Sequence, residues 1–584
     1  MSEIATISFM LNQQTVTVPA EGTLLTALRE SLRGSAQRVT SVKDGCAPQG
    51  QCGCCTVWVD GEPRVACVTP VARVSGRSVT TLEGLDEDVH VTWSEALCAT
   101  GGSQCGFCTP GIIMRLAAKV PGDGVRDVPS DVPSDVLGDA LRDAIHDTVN
   151  SALLAHLCRC TGWQTIHEAA AIVASGRGDV HDRDDRDDRD LDRAAQRAAI
   201  EGRAPQVVDP RVALGEGGFA DDRAPVDALV AVLSPEGTWV VGETPAAARQ
   251  AAGVVPGRKS TIPVSWPVAV PGDPGRDDPG FTRTLQTTWV EPGYLEPDAV
   301  WCVPGGEPVG PLVNGGSFGG KHVGIVGGEH TANSPGLSDH EALGAVARRL
   351  ADEHGRPMRV ILSREDVVRR GPKRPPMALG VRADGSGEMW AVATPGLREL
   401  VASYAPDWVV HEVESQGTVT TSLSTSLSTS LSVRAAGWAE IAVMRSAVRG
   451  SQDPGYSDHV ISPEGAEAWA SVSDDLVRVR VTCGPVLDHI VLRSYCIGAA
   501  HMALGWVRSE GLAVNEAGDP VDLTIRSFGI LRAVDMPAVE VEIVDTGDVD
   551  QLSVNGSDAV FAAVAAAAWR HAGYPSAWPC ARGQ

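Results

Sequence analysis

Positive charge is scarce in this sequence. Its 584 residues include 49 lysines and arginines against 74 aspartates and glutamates, which gives a formal net charge of −25. A nucleic-acid-binding protein needs a basic face that replaces the counterions of the phosphate backbone, and an anionic membrane attracts basic segments in the same way. The composition therefore argues against a general nucleic-acid binder and against docking on an anionic membrane.

Long apolar runs and a secretory signal are also missing. The amino-terminal stretch MSEIATISFMLNQQ has neither a basic n-region nor an apolar h-region. The longest conspicuous apolar run covers residues 559–569, whereas a membrane-spanning helix needs about 20 residues. We expect a cytoplasmic protein without membrane insertion.

Cysteine is abundant by comparison, and it is unevenly distributed. Ten of the 14 cysteines precede residue 161. In the reducing cytosol, clustered cysteines are more often metal ligands than disulfide partners. The crowding therefore indicates metal binding by the first 160 residues.

The first cysteine set has a spacing close to that of a ferredoxin. GCAPQGQCGCC and a later cysteine give C-x5-C-x2-C-x11-C, one residue longer in its first gap than the plant-type pattern. Glycines in the loop permit the tight curl that points four thiolates at two irons. The x2 spacing favours Cys55 over its neighbour Cys54. The predicted ligands of this [2Fe–2S] cluster are Cys46, Cys52, Cys55 and Cys67.

The second set combines QCGFCTPG with LCRCTGW. One C-x2-C at a helix start and one C-x-C at a helix end can face each other in a helical domain. Zinc or a redox disulfide is the alternative for both sets, but C-x-C is uncommon in structural zinc sites. We predict a second [2Fe–2S] cluster, with the ligands Cys105, Cys108, Cys158 and Cys160.

Hydrophobic periodicity predicts the local structure around these motifs. Residues 4–18 alternate as two short strands around a polar turn, and a helix beginning at Thr109-Pro110 and another over 139–157 follow. One further helix has its apolar face at Leu24, Leu25, Leu28 and Leu32.

Three stretches of biased composition are predicted to lie outside the packed core. The Asp-Val-Pro-Ser repeat at 127–134 indicates an exposed insertion, and the acidic stretch at 179–193 indicates a solvated linker. TSLSTSLSTSLS at 421–432 predicts either a loop or an edge strand.

With both cysteine motifs in this order, residues 1–170 resemble the iron–sulfur portion of the xanthine dehydrogenase/aldehyde oxidase family of molybdenum hydroxylases. GGFADDRAPVDALVAV resembles the start of that family's hammerhead domain, and VEPGYLEPDAVW, NGGSFGGKH and RAAGW resemble its L-E-P, G-G-x-F-G-G-K and R-G-x-G motifs. The resemblance implies two [2Fe–2S] clusters that relay electrons, and a molybdopterin cofactor. No flavin domain is visible between the halves, so we expect no FAD in this chain.

The fold class implied is an α+β multidomain protein. We predict a β-grasp [2Fe–2S] ferredoxin-like domain, a helical [2Fe–2S] domain, an acidic linker, a hammerhead-like domain and an α/β molybdopterin-binding-like region. Their predicted ranges are 1–82, 83–175, 176–200, 201–278 and 279–584.

The resemblance also implies cofactor-binding residues. The glycine-rich loop at 315–321 has competing interpretations: a P-loop, although His322 replaces the magnesium-binding Ser or Thr; a G-x-S-x-G nucleophile elbow; or a flexible turn. The family-like segments around it favour cofactor binding. The residues then expected near molybdopterin are Gln104, Gly316, Phe318, Gly319 and Arg434.

The family's catalytic base is missing from its expected position. The family uses a glutamate in a G-x-G-E motif, and here Ser557 stands in that place, with Asp558 beside it. Serine does not act as that base at neutral pH. The candidates for a substitute base are Asp558 and Glu510.

Two functions are compatible with these features. In the first, the chain hydroxylates an aldehyde or N-heterocycle and passes electrons through both clusters to an external acceptor or a separate FAD subunit. In the second, it is an iron–sulfur electron-transfer or scaffold subunit whose molybdenum region is degenerate and catalytically inactive. The sequence leaves the oligomeric state open.

Both functions predict the same iron content. Eight thiolate ligands for two clusters require four iron atoms per chain, and the purified, matured protein should be reddish-brown. Iron and acid-labile sulfide analysis measures this directly. Properly matured protein without bound iron would contradict the central assignment.

Overall fold

The computed structural model describes residues 5–46, 49–120, 144–175, 189–253, 263–271, 280–310, 316, 321, 343–413, 428–515, 518–547 and 551–580. Within these residues, four mixed sheets and one parallel strand pair alternate with helices. The predicted α+β multidomain class is confirmed.

The strands are β1 Thr6–Leu11, β2 Gln14–Pro19, β3 Thr56–Val59, β4 Glu62–Val65, β5 Ser78–Thr80, β6 Leu229–Leu233, β7 Trp239–Gly242, β8 Arg283–Gln286, β9 Ala299–Cys302, β10 Met358–Ile361, β11 Pro372–Lys373, β12 Met377–Val381, β13 Gly387–Val392, β14 Trp408–Val413, β15 Ser428–Thr429, β16 Asp458–Ile461, β17 Glu467–Val472, β18 Leu476–Thr482 and β19 Ala538–Ile543.

The helices are α1 Leu24–Thr26 (continued by a π-helical turn, Ala27–Ser31), α2 Glu87–Thr100, α3 Thr109–Ala117, α4 144–152, α5 Gln164–Ala174, α6 Leu191–Gly202, α7 Pro210–Ala213, α8 Ala220–Arg223, α9 Pro245–Ala252, α10 Leu343–His354, α11 Arg364–Arg370, α12 Leu397–Tyr404, α13 Trp438–Arg449, α14 His489–Arg508 and α15 Ser557–His571. Short 3-10 turns lie at Ala66–Val68, Val71–Val74, Leu82–Gly84, Leu153–Ala155, Ile525–Phe528 and Ala533–Asp535.

The first sheet has the strand order β2-β1-β5-β3-β4. β1 and β2 pair antiparallel, as the alternation predicted, whereas β1 and β5 are parallel. Asn12 and Gln13 turn the hairpin with positive φ angles of 47° and 68°, a conformation that asparagine tolerates better than most residues. The predicted leucine face is buried against this sheet, which leaves the cysteine loop between α1 and β3 on its edge.

Helices dominate the next segment. α3 begins at Thr109 with Pro110 in its first turn, as predicted. The helix predicted over 139–157 is shorter, because α4 ends at residue 152 and a 3-10 turn leads into the CRC motif. The Asp-Val-Pro-Ser repeat lies outside the described residues.

The predicted acidic linker is partly structured. Residues 176–188 lie outside the described part, but α6 fills the end of the range assigned to the linker. Asp190 caps this helix, and its apolar Ala194 and Ala198 are buried. The sequence did not predict this helix, because two of the charged residues on its buried face, Arg197 and Glu201, look like solvent-exposed charges but pair with each other inside the structure.

The remaining chain forms the larger part of the molecule. One sheet has the order β7-β6-β10-β9 and therefore joins strands from both sides of the predicted boundary at residue 278. A second, β14-β13-β12-β8, and a third, β16-β17-β18-β19, follow. α14 packs on α15, and α15 also contacts the third sheet.

The TSLSTSLSTSLS segment contributes one short strand. Its residues 428 and 429 form β15, which pairs parallel with β11; 421–427 lie outside the described residues.

Among the described helices, α14 is long and apolar enough to cross a membrane, and 89% of its apolar window is buried inside the structure. The cytoplasmic location remains a prediction.

A close backbone contact fixes α14 against the second cysteine loop. A Cβ atom at Gly498, in the middle of α14, would lie 1.9 Å from the carbonyl oxygen of Cys160. We predict that Gly498→Ala lowers the free energy of unfolding by about 1–3 kcal/mol through overpacking, measured by urea denaturation. Alanine is about 1 kcal/mol better than glycine in a helix, so a stabilised variant would contradict this contact.

Candidate functional site

The first cysteine set converges at the edge of the first sheet. Cys46, Cys52, Cys55 and Cys67 are all buried. Hydrogen bonds from the thiols of Cys52 and Cys67 lower the pKa of Cys46 well below its usual range. Contacts with Cys46 and Cys55 raise the pKa of Cys67. The four sulfurs therefore lie within reach of one another, as the ligands of one cluster must.

Backbone donors surround these sulfurs. The amides of Gln49 and Gln51 lie 3.3 and 3.4 Å from the Cys46 sulfur, and the amide of Cys67 lies 3.4 Å from the Cys55 sulfur. Such N–H groups stabilise thiolate charge and tune the potential of a bound cluster. The donor set fits a [2Fe–2S] cluster, in which four thiolates serve two irons.

The second set is equally compact. The sulfurs of Cys160 and Cys105 are 3.5 Å apart, and the Cys158 thiol, in hydrogen-bond contact with the thiols of Cys108 and Cys160, has a pKa well below its usual range. Thr161 adds a hydroxyl 3.2 Å from the Cys158 sulfur. This set is buried, so bound irons would be shielded from water.

The two cysteine loops touch each other. A Cβ atom at Gly111, three residues after Cys108, would lie 2.3 Å from the carbonyl oxygen of Gly53 and 2.9 Å from the Cα of Cys54. His156 packs on Gly53, and burial lowers its pKa to about 3, which keeps the imidazole neutral. The direct packing of the two loops gives electrons a short path between the two sets.

Arg159 joins the second set to the rest of the molecule. It stands between Cys158 and Cys160, and its guanidinium donates to both carboxylate oxygens of Glu510 at 2.6 and 2.7 Å. It also donates to the carbonyl of Pro292 at 2.8 Å. Both side chains are buried, so the pair links the cysteine loop rigidly to the segment after α14.

Behind this pair lies a small cavity of about 30 Å³. Three arginines and two glutamates line it, which leaves a net positive charge. A site with more guanidinium than carboxylate groups suits an anionic group. The lining consists of Arg159, Val290, Glu291, Pro292, Gly316, Arg374, Val433, Arg434, Met502, Trp506, Glu510 and Phe561.

Of the predicted cofactor residues, three can be placed at or near this cavity. Gly316 and Arg434 line it, and a Cβ atom at Gly316 would lie 2.5 Å from the Cys160 sulfur. Gln104 donates to the carbonyl of Cys160 at 3.1 Å. Phe318 and Gly319 lie outside the described residues, so the glycine-rich loop keeps its competing interpretations.

The two candidate bases occupy different surroundings. Glu510 lines the cavity. Asp558 is buried at the start of α15, where its carboxylate accepts from Arg203 at 2.8 Å and lies 3.5 Å from Arg434. Asp558 thus neutralises two arginines rather than lining the cavity.

Sequence reasoning missed three residues of this site. Arg159 and Arg374 were not singled out, and neither was Glu201, which accepts hydrogen bonds from the backbone of Gly556 and Ser557 at 3.1 and 2.8 Å. An arginine that stands between two buried cysteine ligands is expected to pair with an anion. This expectation was the only sequence signal for any of the three missed residues. Arg374 pairs with the distant Glu440, and Glu201 binds the distant backbone at 556 and 557 in addition to its helical neighbour Arg197.

Comparisons with known proteins agree with this geometry. Residues 5–83 match the family described as 2Fe-2S iron-sulfur cluster binding domain, and residues 81–171 match the [2Fe-2S] binding domain. The chain therefore carries two [2Fe–2S]-binding domains, as the cysteine spacing predicted. Together with the cavity they define an iron–sulfur oxidoreductase.

The relatives identify the family. Isoquinoline 1-oxidoreductase subunit alpha of Brevundimonas diminuta is 41% identical over 121 residues, 20% of this chain and 76% of that one. Nicotine 6-hydroxylase small subunit of Paenarthrobacter nicotinovorans is 35% identical over 157 residues, 27% of this chain and 81% of that one. This chain belongs to the xanthine dehydrogenase/aldehyde oxidase family of molybdenum hydroxylases.

A solved structure extends the likeness in fold along the chain. The aldehyde oxidoreductase from Desulfovibrio gigas superimposes with a TM-score of 0.64, covering 96% of this chain and 97% of that chain at 14% identity. At this identity the match concerns the fold alone.

Cys54 and Cys55 provide a matched pair for testing the ligand assignment. We predict that Cys55→Ser loses two of the four irons, because a cluster ligand is removed, whereas Cys54→Ser keeps all four. Iron analysis and visible absorption of both purified variants measure this. If Cys54→Ser loses two irons and Cys55→Ser keeps all four, then Cys54 and not Cys55 is the cluster ligand.

Proposed function

We propose that this chain is a molybdenum-dependent hydroxylase of an aldehyde or N-heterocycle, with two [2Fe–2S] clusters that carry electrons to an external acceptor. The single observation that supports it most is the position of Arg159, which extends from between two cluster ligands to the wall of the arginine-lined cavity. Overall, a substrate C–H group and water give a hydroxylated product, two electrons and two protons.

Molybdopterin with its metal, when bound, supplies the two-electron oxidation. Arg374 and Arg434, which line the cavity, would hold its anionic part. The cavity bounded by the described residues has only about 30 Å³, the volume of about one water, so binding of the group requires the cavity to widen. Gln104 donates to the Cys160 carbonyl and fixes the neighbouring cysteine loop.

Glu510 is the proposed proton acceptor. Of the two carboxylates considered, it is the one that lines the cavity. Its Oε1 and Oε2 accept from Arg159 Nη1 and Nη2 at 2.6 and 2.7 Å, so proton uptake requires Oε2 to exchange its bond from Arg159 Nη2 for the substrate-derived proton. Asp558 is proposed instead as a positioning residue that orients Arg434.

The names of the relatives support the substrate class and the need for partners. One is an isoquinoline oxidoreductase and another a nicotine hydroxylase, both acting on N-heterocycles, and an aldehyde oxidoreductase from Megalodesulfovibrio gigas is 38% identical over 171 residues. Two of these are subunits by name. We propose that electrons leave this chain to a separate acceptor protein, FAD subunit or small molecule.

Molybdenum analysis and one substitution test this function. We expect one molybdenum per chain when the protein is produced with molybdopterin maturation factors. Glu510→Gln should lower turnover per iron-loaded chain by about 10²–10⁴-fold, the usual contribution of a general base. Iron analysis of the same sample separates this loss from damage to the second cluster, because the variant also removes the charge partner of the buried Arg159. Glu464→Gln, an exposed carboxylate that pairs with Arg203, is the control.

Two results would contradict this proposal. Absence of molybdenum in matured protein would overturn the hydroxylase and leave the electron-transfer function. Unchanged turnover in Glu510→Gln would remove Glu510 as the base.

A further inference from the structure

A second cavity lies between the first iron–sulfur domain and the segment that follows the acidic stretch. Its volume is about 220 Å³, several times the ~30 Å³ of one water and somewhat below the ~300–1,000 Å³ of sites for drug-sized ligands. It therefore has room for a molecule of one or two rings. No role in the proposed hydroxylation involves it.

The cavity runs from the surface to the cysteine loops. Gly22 and Ala246, which line it, are exposed, whereas Phe107 is only 4% exposed. Phe107 stands between Cys105 and Cys108, and a Cβ atom at Gly45, beside Cys46, would lie 3.2 Å from its ring. The inner end of the cavity is thus closed by a side chain that belongs to one cysteine loop and packs on the other.

The walls combine apolar side chains with eight ionisable residues, each of which is paired with an opposite charge. Leu25, Phe219 and Ile361 line the cavity with Phe107, and the two phenylalanine rings meet edge to face at 5.0 Å. Arg29 pairs with Asp221 and Asp222 at 2.7 and 2.8 Å. Such a site favours an uncharged planar molecule over an ion.

One polar anchor is available. Arg249 lines the cavity, its side chain is 26% exposed, and its guanidinium lies 3.4 Å from Asp44. A carbonyl oxygen on a bound ring would accept a hydrogen bond from this guanidinium. The ligand chemistry indicated is therefore a small, flat, apolar molecule with a carbonyl acceptor.

We propose that this cavity binds a small quinone, which takes electrons from the clusters and is the electron exit of the chain. Each reduced [2Fe–2S] cluster gives one electron. Two such electrons and two protons from solvent convert the quinone to the hydroquinone, and both clusters return to their oxidised state. This inference rests on the iron–sulfur part of the proposed function and needs no molybdenum.

The test uses the full-length iron-loaded protein, reduced with dithionite and freed of excess reductant. The probe is tetramethyl-1,4-benzoquinone, whose fully substituted ring does not add cysteine thiols. Stopped-flow absorbance follows reoxidation of the clusters, and equilibrium dialysis measures quinone binding to the oxidised protein. Ferricyanide, an anion that accepts electrons at the surface, is the reference oxidant.

Two substitutions in the first turn of α9 form a matched pair. Ala246→Trp places a large ring at the mouth, whereas Ala247→Trp places it on an exposed neighbour that does not line the cavity. We expect Ala246→Trp to lower both the rate of cluster reoxidation by the quinone and the association constant of the quinone at least tenfold. Ala247→Trp, and the ferricyanide rates of both variants, should stay within twofold of the parent.

If Ala246→Trp does not fold, Ile361→Phe serves as a second cavity-filling variant, because it enlarges another side chain that lines the cavity. Equal rates of cluster reoxidation by the quinone in the cavity-filling variant and the parent protein, or quinone binding that does not saturate, would overturn the proposal. A protein without iron would fail at the reduction step, which separates failure of the proposed function from failure of this inference.

Discussion

The bidentate ion pair of Arg159 with Glu510 joins the iron–sulfur part of this molecule to the rest. Both side chains are almost fully buried, with 6% and 2% exposed, and burial of charges is repaid only by close geometry and further hydrogen bonds. Removing one partner of such a pair typically costs about 3–5 kcal/mol. The second cysteine loop and the wall of the arginine-lined cavity are therefore held in one fixed arrangement.

Glycines make that arrangement close enough for electron transfer. Gly111 allows the two cysteine loops to pack on each other, and a side chain there would push them apart. Gly498 and Gly316 lie against the carbonyl and the sulfur of Cys160. The ion pair and these glycines together hold the second cysteine loop in place.

Local features could be predicted from the sequence, and distant pairings could not. Cysteine spacing and strand alternation are properties of short segments, and they predicted two iron–sulfur domains and the β1–β2 hairpin. Arg159 and Glu510 are separated by 351 positions, and no local pattern connects them. The sequence did not predict α6, because its buried Arg197 and Glu201 look like solvated charges. It did not predict the sheet β7-β6-β10-β9 either, because that sheet is assembled from distant segments.

The central claim is that the two cysteine sets, whose loops pack on each other, bind two distinct [2Fe–2S] clusters within one chain. Electron paramagnetic resonance of the dithionite-reduced protein, with spin quantification, tests it most directly. The account predicts two S = 1/2 signals with different g-values that integrate to two spins per chain and broaden one another through magnetic coupling. A single signal of one spin per chain, or two signals without mutual broadening, would contradict it.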